Sequence, residues 1–173
     1  MNTQAIANAI QRVERAVARQ PSLSIYQDIP ASVALVEGLR VVVRAPMGSD
    51  IHTDLGMIMG GGGKCPPPGW LMRSALASCL ATSIALQAAR KGIPLDSLEI
   101  QATSQSDVMG LIGDNEEASA APFSWCLHVK LQSQEMEPDE LEALVLHADA
   151  RSPVSEALRQ ATQVCLSVNG RVV

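Results

Sequence analysis

Residues 60–83 read GGGGKCPPPGWLMRSALASCLATS, and this stretch decides how the chain folds. Four glycines and three prolines cannot continue regular structure, so we expect a bend here and a helix whose start the prolines fix. The apolar, alanine-rich segment that follows predicts a helix over 70–89, which ends near Gly92. Cys79 is therefore expected well inside a long helix, on a segment rich in small residues.

Composition and charge limit the functions that the chain can have. With 173 residues, 47% of them hydrophobic, it is expected to fold as one domain over 21–173, preceded by a helical extension over 1–20. The net charge is -5, the 13 basic residues are scattered, and only 2% of the residues are aromatic, so a nucleic-acid partner is not expected. Residues 1–20 carry charge throughout and lack the apolar run of a signal peptide, which predicts a cytoplasmic protein.

The long helix raises the question of a membrane. A helix over 70–89 has about the length that spans a bilayer. It contains Arg73, Ser78 and Gln87, however, so the sequence favours the core helix of a water-soluble protein and no membrane partner.

The remaining elements come in groups, which predicts the α+β class. Thr3–Arg19 has apolar residues at helical spacing, and two short β-branched runs around Glu37-Gly38 predict a hairpin. The other predictions are an irregular strand within 50–59, strands over 98–103, 123–132 and 163–168, a helix that begins at Pro138, and a short helix at Ser152-Pro153 with Ser152 as its N-cap.

The cysteines show neither zinc-type pairs nor a disulfide framework. Cys65, Cys79, Cys126 and Cys165 are widely spaced, and Cys126 and His128 lack a further ligand pair nearby in sequence. We therefore expect reduced thiols, no metal and no cofactor. On residue pattern alone, Cys79 among its small neighbours is typical of a packing thiol.

Four motifs in one order carry a family resemblance. They are PPGWLMRSALASCLATS over 67–83, GIPLDSLEI over 92–100, SDVMG over 106–110, and SPVS over 152–155 followed by Leu158. Together they resemble the osmotically inducible protein C and organic hydroperoxide resistance (OsmC/Ohr) superfamily. The resemblance implies sheets wrapped around long central helices in an intertwined homodimer, with two sites at the subunit interface.

The resemblance also implies a reactive thiol, and the chain keeps only part of the expected set. Cys79 stands where the peroxidatic cysteine is expected, and Arg44 or Arg40 is the arginine that would stabilise its thiolate. Ser152 replaces the second, resolving cysteine, and the expected glutamate is replaced at Gly69 or Trp70. Since a sulfenic acid must condense with another thiol before over-oxidation, either Cys65 or an external thiol reductant would have to resolve it.

Two functions follow from this reading. The first is a cysteine-dependent hydroperoxide reductase in oxidative stress defence, with Cys79 and Arg44 as catalytic residues. The second is a non-catalytic protein that holds an apolar small molecule in a pocket at the dimer interface, with Trp70, Met72 and Ser152 as binding residues.

Overall fold

The computed structural model describes residues 3–113, 117–160 and 163–172. Helices and strands come in groups along the chain, which confirms the α+β class. The helices are α1 Thr3–Arg19, α2 Pro68–Arg90, α3 Val108–Ile112, α4 Pro138–Asp149 and α5 Pro153–Arg159. The strands are β1 Ser32–Glu37, β2 Arg40–Arg44, β3 Ile51–Thr53, β4 Ser97–Gln105, β5 Phe123–Gln132, β6 Ser167–Val168 and β7 Arg171–Val172.

The described strands form three separate sheets. Strands β1, β2 and β3 make an antiparallel sheet in that order, in which Val42 lies opposite Ala34 on one side and His52 on the other. Strands β4 and β5 pair with each other, and β6 pairs with β7. Gly38 adopts a positive φ of 55° in the β1–β2 turn, a conformation that glycine reaches at low cost.

The chain divides into two compact units. One, here called the helix-core unit, consists mainly of Leu76–Gln101 and the chain from Leu127 onward. The other, the hairpin unit, consists of Asn8–Ala75 and Ala102–Cys126. Helix α2 and strands β4 and β5 each contribute residues to both units.

The core of the helix-core unit joins α2 to α4. Leu80, Ile84 and Ala88 recur every fourth residue, so they form one stripe along α2, and they cluster with Leu144 and Ala148 of α4. Partly buried apolar side chains from β4 and β5 pack against this cluster. Replacing a fully buried leucine of this kind by alanine typically costs about 2–5 kcal/mol, so the stripe fixes where α2 lies in this unit.

By length and composition alone, α2 would also pass as a membrane-spanning helix. Its buried Leu80, Ile84 and Ala88, however, cluster with Leu144 and Ala148 of α4. This packing is that of a core helix, the alternative that the sequence favoured.

The start of α4 follows its sequence closely. Pro138 occupies the first turn, where its missing N–H is not needed. The Glu137 N–H donates to Glu140 Oε2 at 3.0 Å, which is half of a capping box. These contacts fix the predicted start of the helix.

Several boundaries differ from the predictions. Helix α2 begins at Pro68, two residues before the predicted start, because proline is tolerated in a first turn. Only Ile51–Thr53 forms a strand within 50–59. Helix α3 was not predicted, although Asp107 Oδ1 accepts a hydrogen bond from the Met109 N–H at 2.8 Å and so caps it.

The predicted strand over 163–168 is wrong for most of its length. Only Ser167–Val168 forms a strand there, and it pairs with Arg171–Val172 through a tight turn. Asn169 and Gly170 both have positive φ, at 51° and 82°. Asn-Gly is the dipeptide that favours such two-residue hairpin turns, so this signal was present in the sequence.

Candidate active site

Cys79 lies on α2 at the edge of its buried stripe. Cys79 is half-buried, and both Leu76, one turn earlier, and the adjacent Leu80 are buried. None of the four cysteines forms a disulfide in the described chain. Cys126 and Cys165 are exposed. Cys79 therefore lies on the core helix with part of its surface exposed.

Ser152, the residue at the expected position of the second cysteine, is fully buried. It occupies the N-cap position of α5, and its carbonyl accepts from the Glu156 N–H at 2.9 Å. Its hydroxyl makes no capping bond and has no partner among the described residues, and the same holds for Ser155 Oγ. The N-cap prediction is right for the backbone position and wrong for the side chain, because the buried hydroxyl does not meet the first-turn N–H groups.

The two candidate arginines of β2 have different surroundings. Arg44 has a side chain 64% exposed, and its Nη1 lies 3.0 Å from Asp50 Oδ2. Such an exposed ion pair is typically worth no more than about 1 kcal/mol, but it gives Arg44 a local partner. Arg40 is half-buried, and its Nε is buried without a hydrogen-bond partner among the described residues. Of the two, Arg40 therefore has the guanidinium that is not already engaged.

The other predicted site residues belong to the hairpin unit. Cys65 is half-buried in the loop before α2, and the carbonyl of the next residue, Pro66, accepts from the Asp54 N–H at 3.2 Å. Trp70 and Met72, in the first turns of α2, are 46% and 38% exposed. They thus present apolar surface, as a ligand-binding role would require.

Arg73 was missed as a candidate in the sequence. It is half-buried on α2, and its Nη1 donates to Ser104 Oγ at 3.3 Å. A Cβ placed on Gly69 would lie 3.6 Å from Arg73 Nη1. Gly69, one of the two positions where the resemblance expects a glutamate, therefore lies beside Arg73 one helical turn later. The spacing of four residues between them could have indicated this contact from the sequence.

The two compact units share the predicted site residues between them. Cys79 and Ser152 belong to the helix-core unit, whereas Arg40, Arg44, Cys65, Trp70 and Met72 belong to the hairpin unit. The single site that combines them stays a prediction.

No metal centre is found within the part of the chain that the structure describes, since no group of three or more His, Cys, Asp or Glu side chains comes together there. One perturbed histidine does stand out. Partial desolvation lowers the pKa of His147, and the positive charges of Arg151, Lys91 and Arg90 lower it further. Arg151 Nη1 lies 3.2 Å from His147 Nδ1, a contact that the neutral imidazole can accept.

These features define a class: an α+β protein built on one long core helix that carries a half-buried cysteine. The model of the OsmC family, described as OsmC-like protein, matches residues 61–167, and the chain belongs to this family. No curated protein matches the chain.

Solved structures show the same fold at low sequence identity. An OsmC-like protein from Mycoplasma pneumoniae has a TM-score of 0.67 at 17% identity, covering 79% of this chain and 91% of its own. An organic hydroperoxide resistance protein OsmC from Legionella pneumophila gives 0.55 at 20% identity, with 78% and 92% covered. The organic hydroperoxide resistance protein OhrB of Bacillus subtilis gives 0.53 at 18%, with 77% and 93% covered. The OsmC/Ohr-like fold predicted from the motifs is thus confirmed.

Proposed function

We propose that this protein is a cysteine-dependent organic hydroperoxide reductase of the cytoplasm, acting in peroxide defence with Cys79 as its nucleophile. The observation that carries the proposal is the half-buried Cys79 on the core helix of an OsmC-family fold. Two of the solved structures that it resembles are named organic hydroperoxide resistance proteins, which supports this reaction class.

The proposed first step is a nucleophilic displacement. The thiolate sulfur of Cys79 attacks the terminal oxygen of a hydroperoxide, and the O–O bond breaks. The alkoxide takes up a proton and leaves as an alcohol. The peroxide is reduced by two electrons, and the sulfur becomes a sulfenic acid.

A cation beside the thiolate would favour the reactive form. Arg44 was the first candidate, but it pairs with Asp50, whereas the Arg40 guanidinium has no partner among the described residues. The proposal therefore assigns this role to Arg40 ahead of Arg44.

The second step needs a thiol from elsewhere. Ser152 cannot form a disulfide, so an external thiol attacks the sulfenic sulfur and water leaves. A second thiol then reduces the mixed disulfide and regenerates Cys79. Cys65 is the alternative resolving thiol within the chain.

A homodimer is part of the proposal. All six residues of β1 are exposed, among them Val33, Leu35 and Val36, and Ile25 and Tyr26 before it are also exposed. Soluble monomers rarely leave such contiguous apolar surface uncovered. A second copy of the chain would bury it.

Turnover tests the function. Consumption of cumene hydroperoxide is measured with a dithiol reductant for the unaltered protein, Cys79→Ser and Cys65→Ser. We expect catalytic consumption that Cys79→Ser abolishes. Retention of turnover in Cys65→Ser would assign resolution to the external thiol, and its loss would assign it to Cys65. Equal consumption by Cys79→Ser and the unaltered protein would refute the proposal.

A second function has its own support. The hydroxyl of Ser152 stands where a resolving thiol is expected, and Trp70 and Met72 expose apolar surface. Binding of an apolar small molecule without turnover would account for both. Quenching of tryptophan fluorescence by a fatty-acid-sized ligand, lost in Trp70→Ala and unchanged in Trp125→Phe, would favour this function when peroxide turnover is absent.

A further inference from the structure

A small cavity lies wholly inside the hairpin unit, and its lining includes Arg40, the arginine proposed above as the partner of the Cys79 thiolate. It has a volume of about 340 Å³ and is lined by the β1–β2 turn from Glu37 to Arg40, by Asp54, by Gly60–Gly62 and by Lys64. A volume of this size is at the lower end of the range for small-molecule sites. Leu39 is the one apolar side chain in this lining, so the cavity suits a polar ligand.

The glycine-rich wall of the cavity is a folded loop organised by Asp54. Asp54 is 4% exposed, and its Oδ1 accepts from the Leu55 N–H at 2.8 Å and its Oδ2 from the Gly62 N–H at 2.9 Å. A Cβ on Gly61 would lie 2.0 Å from the Leu55 carbonyl oxygen. The loop is thus closely packed, and both carboxylate oxygens of Asp54 accept hydrogen bonds within it.

The cationic side chains of the cavity have no such partners. The Arg40 Nε is buried without a hydrogen bond, Lys64 is exposed, and neither residue is in the ion pairs found among the described residues. A buried donor left unsatisfied destabilises the folded state, so a guanidinium in this position is expected to meet an acceptor. Asp54 is engaged by the loop, and the other carboxylate of the lining, Glu37, is exposed.

We propose that this cavity binds the oxyanion group of a small organic molecule, with Arg40 and Lys64 as its ligands. The planar guanidinium of Arg40 can donate two parallel hydrogen bonds to a carboxylate or a phosphate, and Lys64 adds a second positive charge. The negative charge of Glu37 repels the bound anion through the solvent and so lowers the affinity of the site. The backbone N–H groups of Gly60–Gly63 are all used within the loop, so the side chains provide the recognition.

The test measures binding in the Cys79→Ser protein, so its outcome is independent of peroxide chemistry. Succinate and inorganic phosphate are titrated at constant ionic strength, with succinamide as the uncharged isostere. The readouts are heat of binding and the amide shifts of Gly60–Gly63. We expect saturable binding of at least one oxyanion and none of succinamide. Preference for succinate or for phosphate identifies which oxyanion the site takes.

Matched variants decide which groups bind. Arg40→Gln and Lys64→Gln should each weaken binding by about tenfold or more, because each removes a charge-assisted contact. Glu37→Gln should strengthen it. Arg44→Gln, which removes one charge from the same strand, should leave binding unchanged.

Two results would overturn the proposal. One is an absence of saturable binding of either oxyanion at tens of millimolar. The other is an equal loss of binding in Arg44→Gln and Arg40→Gln, which would mean that only net charge matters. If the Arg40→Gln variant does not fold, Arg40→Lys and Lys64→Gln provide the same test. Lysine keeps the positive charge of Arg40 but cannot donate two parallel hydrogen bonds to one oxyanion.

Discussion

At the scale of single residues, the most informative side chain after Cys79 is Ser152. Its hydroxyl is fully buried and has no partner within the described residues, and it stands where the family resemblance expects a thiol. Burying a hydroxyl without a hydrogen bond is unfavourable. A sulfur atom at this place would be easier to bury, because a cysteine thiol behaves as a small hydrophobe.

This leads to a prediction for Ser152→Cys. We expect the variant to form a disulfide with Cys79 after one equivalent of hydroperoxide, because the new thiol attacks the sulfenic acid faster than an external thiol does. Intact mass under non-reducing conditions would show the loss of two hydrogens.

The control for this prediction is Ser155→Cys, which places a thiol at another buried serine of the same short helix. It should not form the disulfide. Equal disulfide formation in both variants, or in neither, would contradict the proposed position of the resolving thiol.

His147 gives a prediction that depends on pH. Desolvation and the charges of Arg151, Lys91 and Arg90 lower its pKa below 6.5 in the folded state. Below pH 6.5, the unfolded chain therefore binds more protons than the folded protein. The free energy of unfolding contributed by neutral His147 is thus present above that pH and is lost as the pH falls below it. We expect Arg151→Gln to raise the pKa of His147, as measured by NMR titration of its ring protons.

The matched control is Arg159→Gln. Arg159 pairs with Asp149 and is not among the charges that act on His147. An unchanged pKa in Arg151→Gln, or an equal rise in Arg159→Gln, would show that Arg151 does not set this titration.

At the scale of elements, the glycine-rich loop before α2 gives the sharpest prediction. In Gly61→Ala the new Cβ would lie 2.0 Å from the Leu55 carbonyl oxygen, a backbone atom that cannot move aside cheaply. We expect a loss of about 1–3 kcal/mol in the free energy of unfolding, measured by urea denaturation.

Gly56→Ala is the control, because a Cβ there meets nothing within 4 Å. It should change the unfolding free energy much less. If both variants unfold at the same urea concentration, the described geometry of the loop is wrong.

Sequence patterns predicted the elements that rest on local signals. The helix Thr3–Arg19, the hairpin of β1 and β2, and the start of α4 at Pro138 all follow from periodicity, turn glycines and capping. The strand β5 alternates between partly buried and exposed residues, as its sequence indicates. These features depend on residues close together in the chain.

Features that depend on distant residues were beyond the sequence. The loop fold held by Asp54 and Gly62 and the contact of Arg73 with Ser104 each join parts of the chain that are separated in sequence. The buried, unpartnered Nε of Arg40 depends on how the surrounding loop folds over it. The choice between Arg44 and Arg40 rested on strand alternation, which places both on one face. In the structure, the ion pair of Arg44 with Asp50 and the buried Nε of Arg40 distinguish the two.

At the scale of the whole molecule, the uncovered apolar surface predicts self-association. Val33 and Leu35 on β1 and Val164 and Leu166 near the end of the chain are exposed. Burial of each such side chain contributes roughly 1.5–3 kcal/mol, so a dimer that covers several of them would be stable at micromolar concentration. We expect light scattering to give twice the mass of one chain.

A variant distinguishes a specific dimer from non-specific association of apolar surfaces. Leu35→Glu, on the exposed strand β1, should shift the protein toward the mass of one chain, because an unpaired charge would be buried in the interface. Glu14→Gln, on the polar side of α1, serves as a mild surface control. A single-chain mass for the unaltered protein at micromolar concentration would refute the homodimer.

The proposed function depends on the reactivity of Cys79 toward hydroperoxides. Its most direct test is the mass of the intact protein after a few equivalents of cumene hydroperoxide with a dimedone trap, with Cys79→Ser as the control. We expect one rapid dimedone adduct that maps to Cys79 and is absent from the variant. An unmodified protein beside unconsumed peroxide, or an adduct that persists in Cys79→Ser, would contradict it.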